Sequence, residues 1–217
     1  PLAGGERVNA GDLVHTGAQS STVLRFGDGA RVVVRPDSRL RVEHSARLGT
    51  SPMVDTRLQL DDGGADTQVP KQSARRFEIR TPVANLGVRG TEFRTRATAE
   101  QTAVEVLEGN VAATGTGIQG VNAGFGTVAT AQSVSAVSPL LPAPELAQVP
   151  RRIERLPLNL PWDSSAAAGT TYRAQVVDAQ KPDQLVLDGL FTGHAARWSA
   201  DLPDGDYLLR VRAVDSR

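Results

Sequence analysis

The 217-residue sequence contains no cysteine. This absence excludes thiol catalysis, cysteine-ligated zinc and disulfide scaffolding. Aromatic residues make up only 4% of the chain, so we expect valine, leucine and alanine to fill the interior. No apolar run approaches the ~18 to 20 residues that a membrane-spanning helix needs. We therefore expect no direct membrane insertion of this sequence.

The chain also lacks a net charge, because 24 lysine and arginine residues balance 24 aspartate and glutamate residues. A nucleic-acid-binding protein usually presents a clear excess of basic residues on one face. The balanced charge therefore predicts no nucleic-acid partner.

A sustained helical period is missing as well. Across residues 11–137, apolar and polar residues alternate, which is typical of half-buried strands. The sequence therefore predicts an all-β fold.

Asp28 and Gly29 predict a two-residue hairpin whose central residues both take positive φ. Turn-forming residues predict a loop at 61–64 and a second turn at 108–110. Strands are predicted at residues 23–26, 31–35, 39–43, 56–60, 76–80, 92–96, 102–107 and 111–114.

The most informative segment is residues 81–93, which lie between two alternating runs. Proline cannot donate to a sheet ladder, and glycine permits backbone angles closed to other residues. We interpret the segment as a structural or recognition corner between two strands. An inward-pointing Arg89 either locks the fold or recognises a carboxylate ligand, and the first role is favoured. The corner residues are Thr81, Pro82, Gly87, Arg89, Gly90, Thr91 and Phe93.

Residues 81–93 read TPVANLGVRGTEF, which resembles the hallmark TP-x-A-x-x-GVRGT-x-F of the FecR domain. Four other segments resemble family patterns in the same order, at residues 11–17, 24–38, 104–111 and 121–124. The resemblance covers roughly residues 1–130. It implies an extracytoplasmic bacterial module, and hence a periplasmic location, with an elongated all-β roll or solenoid-like architecture.

The chain changes character after residue 137. Six prolines in residues 138–161 predict a linker, because repeated proline disfavours helix and central strand alike. Residues 162–217 resemble a fibronectin type III or immunoglobulin-like sandwich. They are fewer than the ~100 residues of a complete sandwich, so we expect a truncated domain. The predicted domains are thus residues 1–137 and 162–217. The chain begins at Pro1 without an initiator methionine, and we expect further sequence upstream.

No catalytic, cofactor or metal site is predicted. His15, His44 and His194 lie far apart and lack metal-binding spacing. The aspartates at 61, 62 and 66, and those at 201, 204 and 206, do not match a calcium loop. No G-x-S-x-G segment or phosphate-binding loop is present.

Two functional hypotheses follow from the resemblance. The first is a non-enzymatic cell-envelope binding or scaffold protein associated with peptidoglycan or another glycan, or with a partner protein; such domains often follow a LysM module. The second is the periplasmic sensing region of a FecR-type anti-sigma regulator, of the kind that responds to iron-siderophore receptors. The upstream sequence would discriminate them, since a LysM repeat favours the first and a membrane helix the second.

Overall fold

The computed structural model describes residues 5–18, 20–47, 54–71, 76–182 and 185–214. Within these ranges the chain forms sixteen strands and no helix, which confirms the all-β prediction. Accordingly, the described part contains no helix long and apolar enough to span a bilayer. The chain divides into two compact units, residues 1–140 and 141–217.

The first unit is built on one sheet of eleven strands. The strands are β1 (Leu13–Thr16), β2 (Thr22–Arg25), β3 (Arg31–Val34), β4 (Ser38–Arg47), β5 (Val54–Gln68), β6 (Arg76–Arg80), β7 (Asn85–Ala97), β8 (Gln101–Thr114), β9 (Ile118–Asn122), β10 (Phe125–Thr130) and β11 (Ser138–Pro139). The main path of the sheet runs β1-β4-β5-β6-β7-β8-β10-β11, while β2 and β3 form a hairpin on β5 and β9 pairs with β8. Alternating apolar and polar residues drive this pairing because they give each strand one buried face.

Strands β5 and β7 each change partner along their length. The second half of β5 pairs with the second half of β7, from Gly63 opposite Ala97 to Gln68 opposite Glu92. Their first halves diverge, and β6 lies between them, parallel to β5 and antiparallel to β7. The sheet therefore forks at the middle of β7.

Two predicted breaks are wrong, because they lie inside long strands. The predicted loop at 61–64 belongs to β5, and the predicted turn at 108–110 belongs to β8. The pairing register shifts beside both segments. Aspartate, asparagine and glycine favour bulges for the same backbone reasons that they favour turns, so composition alone did not separate the two.

The predicted hairpin at Asp28 and Gly29 joins β2 to β3, as expected. Its turn type differs from the prediction, because only Gly29 takes a positive φ, of 84°. The amide of Gly29 donates to the Phe26 carbonyl, and the amide of Phe26 donates to the Ala30 carbonyl. The connection is thus a longer loop that ends in a glycine bulge.

Aliphatic residues dominate the core of the first unit. Leu58, Leu60 and Ile79 are completely buried, and Phe77 packs edge-on against Phe26 with 6.1 Å between ring centroids. This cluster lies beneath β5, β6 and β7. It fixes the inner face of the sheet, so the exposed face above it can carry other roles.

The second unit contains two small sheets. The first pairs β12 (Leu158–Pro161) with β15 (Ala195–Trp198), and the second has the order β14 (Leu185–Thr192), β13 (Thr171–Asp178), β16 (Tyr207–Val214). Trp162 and Tyr172 centre their shared core, with 5.4 Å between ring centroids. Strand β12 and, in the first unit, β11 lie within the predicted linker, residues 138–161. The fibronectin type III or immunoglobulin-like assignment stays a prediction, and the chain ends Pro1 and Arg217 lie outside the described residues.

Candidate functional site: the turn, the bulge and the groove of strands β6 to β8

The predicted corner contains two separate features, of which the first is a tight turn between β6 and β7. The amide of Thr81 donates to the Ala84 carbonyl at 2.9 Å. The Thr81 hydroxyl donates to the same carbonyl at 2.8 Å and accepts from the Ala84 amide at 3.0 Å. It also accepts a hydrogen bond of 2.6 Å from the hydroxyl of Thr102 on β8. Thr81 therefore closes the turn and ties it to β8, while Pro82 is exposed.

The second feature is a bulge in β7 at Gly90 and Thr91. The paired positions step from Arg89 opposite Asn110 to Glu92 opposite Glu108. Two residues of β7 therefore face one residue of β8, as in a β-bulge. Gly90 has φ +61°, and a Cβ there would lie 2.9 Å from the Cα of Lys71.

Close backbone contact and one hydroxyl hold this bulge in place. A Cβ on Gly109, which faces the bulge, would lie 2.6 Å from the Gly90 carbonyl oxygen. The Thr91 hydroxyl lies 2.9 Å from the Asn110 carbonyl oxygen and 3.0 Å from that of Arg89, to either of which it can donate. A side chain at position 90 or 109 would meet these close contacts, so both positions require glycine. The Thr91 hydroxyl links β7 to β8 across the bulge.

The bulge redirects β7 from one neighbour to the other. Before it, Val88 pairs with Phe77 of β6; after it, Glu92 pairs with Gln68 of β5. Phe93 then points inward and is completely buried. The fork of the sheet is therefore built at Gly90 and Thr91.

Arg89 does not take the inward position that the sequence predicts, because its side chain is exposed. The odd-numbered positions at the start of β7 face outward, while Leu86 and Val88 face the core. The bulge that would allow an inward turn begins one residue later. Arg89 therefore stands on the open face of the sheet.

A groove lies on that open face, across β6, β7 and β8. Its volume is ≈ 430 Å³. Two small residues form its floor, Gly87 of β7 and Ala112 of β8, which are paired with each other. Ala112 is also paired with Gly120 of β9. We call this the β6–β8 groove; it is lined by Arg76, Phe77, Glu78, Asn85, Gly87, Val88, Ala112 and Thr114.

One end of the groove is charged. The Glu78 carboxylate is only 10% exposed and accepts a hydrogen bond of 3.1 Å from Arg80. Its second oxygen lies 3.5 Å from the Arg76 guanidinium, whose side chain is 69% exposed. Arg80 also reaches Glu43 at 3.3 Å. The carboxylate is therefore covered and ion-paired by the two arginines, and its second oxygen has no hydrogen-bond partner among the described residues. The guanidinium of Arg76 faces solvent.

Asp55 and Arg57 continue this network on β5. The Arg57 guanidinium donates to the Asp55 carboxylate at 2.8 Å. The pKa of Arg57 is raised, first by this hydrogen bond and next by the charge of Asp55. Since the ordinary pKa of arginine is already high, Arg57 keeps its charge across the physiological range.

The other sequence candidates do not assemble into a centre. His15 and His194 are exposed, in β1 and beside β15 respectively. Asp66 instead pairs with Arg35, whose Nε donates to it at 2.8 Å. Among the residues that the structure describes, no three histidines, aspartates or glutamates come together as metal ligands.

The groove itself was not predicted. Gly87, Ala112 and Gly120 are small residues at outward positions, but they are spread over three strands. Only the strand register brings them into one row. One sign of the groove is that neither the backbone nor the packing requires glycine at position 87. Gly87 has no positive φ, and the nearest atom to a Cβ there would be the Ala112 carbonyl oxygen at 4.0 Å.

Comparison with known proteins gives a family match and a likeness to solved structures. Residues 12–112 match the family described as FecR protein. No curated protein matches the chain. Two crystal structures of a candidate anti-sigma factor from Parabacteroides distasonis ATCC 8503, at 2.50 Å and 1.65 Å resolution, are similar to it, with TM-scores of 0.50 and 0.49. Each is 17% identical over 59% of this chain and 59% of the solved chain.

At this identity the 2.50 Å structure supports a shared fold and nothing more. The matched family region extends from the start of β1 into β8, so it contains the turn, the bulge and three strands of the groove. The resemblance found in the sequence at residues 81–93 is thereby confirmed. The chain carries a FecR domain at residues 12–112.

Proposed function

We propose that this chain is the extracytoplasmic sensing region of a FecR-type regulator, which binds a protein partner in the periplasm and so controls the activity of a sigma factor. The family match over residues 12–112 carries the proposal. The fold likeness to a candidate anti-sigma factor agrees with it.

The geometry of the first unit suits a binding role. One face of its sheet is closed by aliphatic packing, and the exposed face presents a groove with the exposed side chain of Arg76 in its lining. A rigid sheet holds such a surface with little reorganisation on binding, which favours recognition of a folded partner. We therefore assign the unit a non-enzymatic role.

This assignment replaces the wall-associated scaffold as the preferred hypothesis. The scaffold hypothesis rests on modules that often accompany FecR domains, whereas the regulator hypothesis rests on the matched domain itself. Binding of the chain to peptidoglycan would therefore count against the proposal.

A transcriptional experiment tests it. The chromosomal gene would be replaced by a version lacking residues 12–140 in the bacterium that encodes it, and transcripts would be compared with those of the parent strain. We expect a sigma-dependent set of transcripts to lose its normal control. The matched control is full-length protein carrying Thr95→Val, which changes a buried side chain of the same domain and should leave transcription intact.

Two results together would contradict the regulator proposal. Unchanged transcription in the deletion strain, together with salt-resistant co-sedimentation of the purified chain with peptidoglycan sacculi, would overturn the regulator proposal in favour of a wall-associated protein.

A further inference from the structure

We propose that the β6–β8 groove binds an acidic segment of the partner protein, with Arg76 and Arg89 pairing its carboxylates. This inference rests on the proposed function for the nature of the partner. The site and the charge of its ligand come from the structure alone.

Arg76 lines the groove, and the exposed Arg89 lies just outside the lining, on the adjoining strand. Phe77 and Val88 form the last described pair of β6 and β7, so Arg76 and Arg89 occupy the next positions on adjoining strands. A ligand carboxylate placed between them would accept charge-assisted hydrogen bonds from planar guanidinium groups.

The accessible charge at the groove is positive. Glu78 is the acidic residue of the lining, but it is 10% exposed and already bonded to Arg80. The Arg76 guanidinium forms a long ion pair of 3.5 Å with Glu78, but its side chain is 69% exposed and stays open to a ligand. No ion pair of Arg89 is found among the described residues. The surface therefore complements an acidic ligand.

The floor of the groove leaves room for a chain to approach. Gly87 is exposed on a strand interior, where glycine weakens a sheet and often marks close approach of a ligand or another backbone. Its backbone conformation does not require glycine, since no positive φ occurs there and an added Cβ would be unhindered. The absence of a side chain at Gly87 therefore leaves room in the groove for a ligand. Asn85 and Thr114 add hydrogen-bonding groups to the lining.

Hexaglutamate is the probe that tests the proposal, with hexaglutamine and hexalysine as matched peptides. Each would be titrated into the ¹⁵N-labelled chain at low salt and at 0.15 M salt, the latter giving a screening length of about 8 Å. We expect hexaglutamate to shift the amide signals of Gly87, Arg89 and Ala112, more strongly at low salt. We expect the other two peptides to leave them unchanged.

Two variants test whether hexaglutamate binds in the β6–β8 groove. Gly87→Val fills the groove and should weaken hexaglutamate binding more than tenfold. Arg89→Gln removes one of the two positive charges and should weaken it about two- to fivefold, as for an exposed charge pair. The controls are Gly27→Val, at another unhindered glycine in the β2–β3 loop, and Arg39→Gln, at an exposed arginine of β4; both should bind as the parent chain does.

Three results would overturn the proposal: no hexaglutamate shift in the groove, equal binding by Gly87→Val, or binding of hexalysine in the groove. The readout is independent of transcription. A chain that fails here but retains sigma-factor control would contradict the groove assignment while leaving the proposed function intact.

Discussion

The bulge and the groove lie on the same strand, and each contains a glycine. Gly90 has a positive φ and would clash with Lys71 if it carried a side chain. Gly87, three residues earlier, has neither restriction. The comparison shows that one residue type serves two physical needs: Gly90 permits a backbone path, and Gly87 leaves a surface open. The first need concerns stability and the second concerns binding.

The largest expected effect is that of Gly90→Val. A β-branched residue at positive φ, 2.9 Å from the Lys71 Cα, should lower the free energy of unfolding by about 2–4 kcal/mol. Urea unfolding would show a lower midpoint at an unchanged slope. A midpoint equal to that of the parent chain would refute the steric account of the bulge.

The next effect concerns the turn. Thr81→Val removes the hydroxyl that serves the Ala84 amide and carbonyl and the Thr102 hydroxyl. Since these groups are buried, we expect a loss of about 1–3 kcal/mol in the free energy of unfolding. Thr102→Val in the Thr81→Val background should then cost little more, because the two hydroxyls bond to each other. Fully additive losses in this double-mutant cycle would argue against that coupling.

A smaller loss is expected for Thr91→Val, which keeps the side-chain shape and removes the link to the Asn110 carbonyl. We predict a decrease of about 1 kcal/mol in the free energy of unfolding. Thr95→Val is the matched control on the same strand, because the buried Thr95 hydroxyl has no hydrogen-bond partner among the described residues. That control should be neutral or slightly stabilising; equal losses in both variants would mean that the Thr91 hydrogen bond is unimportant.

The smallest effect on stability is expected for Gly87→Val. Valine favours strands, and the nearest atom to its Cβ is the Ala112 carbonyl oxygen at 4.0 Å. The free energy of unfolding should stay within about 0.5 kcal/mol of the parent value, or rise. A loss as large as that of Gly90→Val would remove the distinction between the two glycines.

Much of the fold could be predicted because alternation reports burial directly. Strand β6 was predicted with the bounds that the structure shows, Arg76–Arg80. The segments at 61–64 and 108–110 were not, since glycine and aspartate mark both turns and bulges. Which one forms depends on whether the flanking strand continues on the same partner, and that is a tertiary property.

The candidate site was predicted in its position but not in its orientation. The sequence placed Gly90 and Thr91 in a corner between two strands, where the structure has the bulge. It placed Arg89 inside, although alternation with Val88 puts it outside. The groove needs the register of β6, β7, β8 and β9, and residues far apart in sequence carry no local sign of sharing a row.

The most direct test of the two roles of β7 is the hexaglutamate affinity of Thr91→Val and Gly87→Val, measured by ¹⁵N titration under conditions where both are folded. The account predicts that Thr91→Val, though less stable, binds as the parent chain does, while Gly87→Val, with full stability, binds more than tenfold more weakly. Equal affinities for the two variants would contradict the division of β7 into a structural bulge and a binding groove.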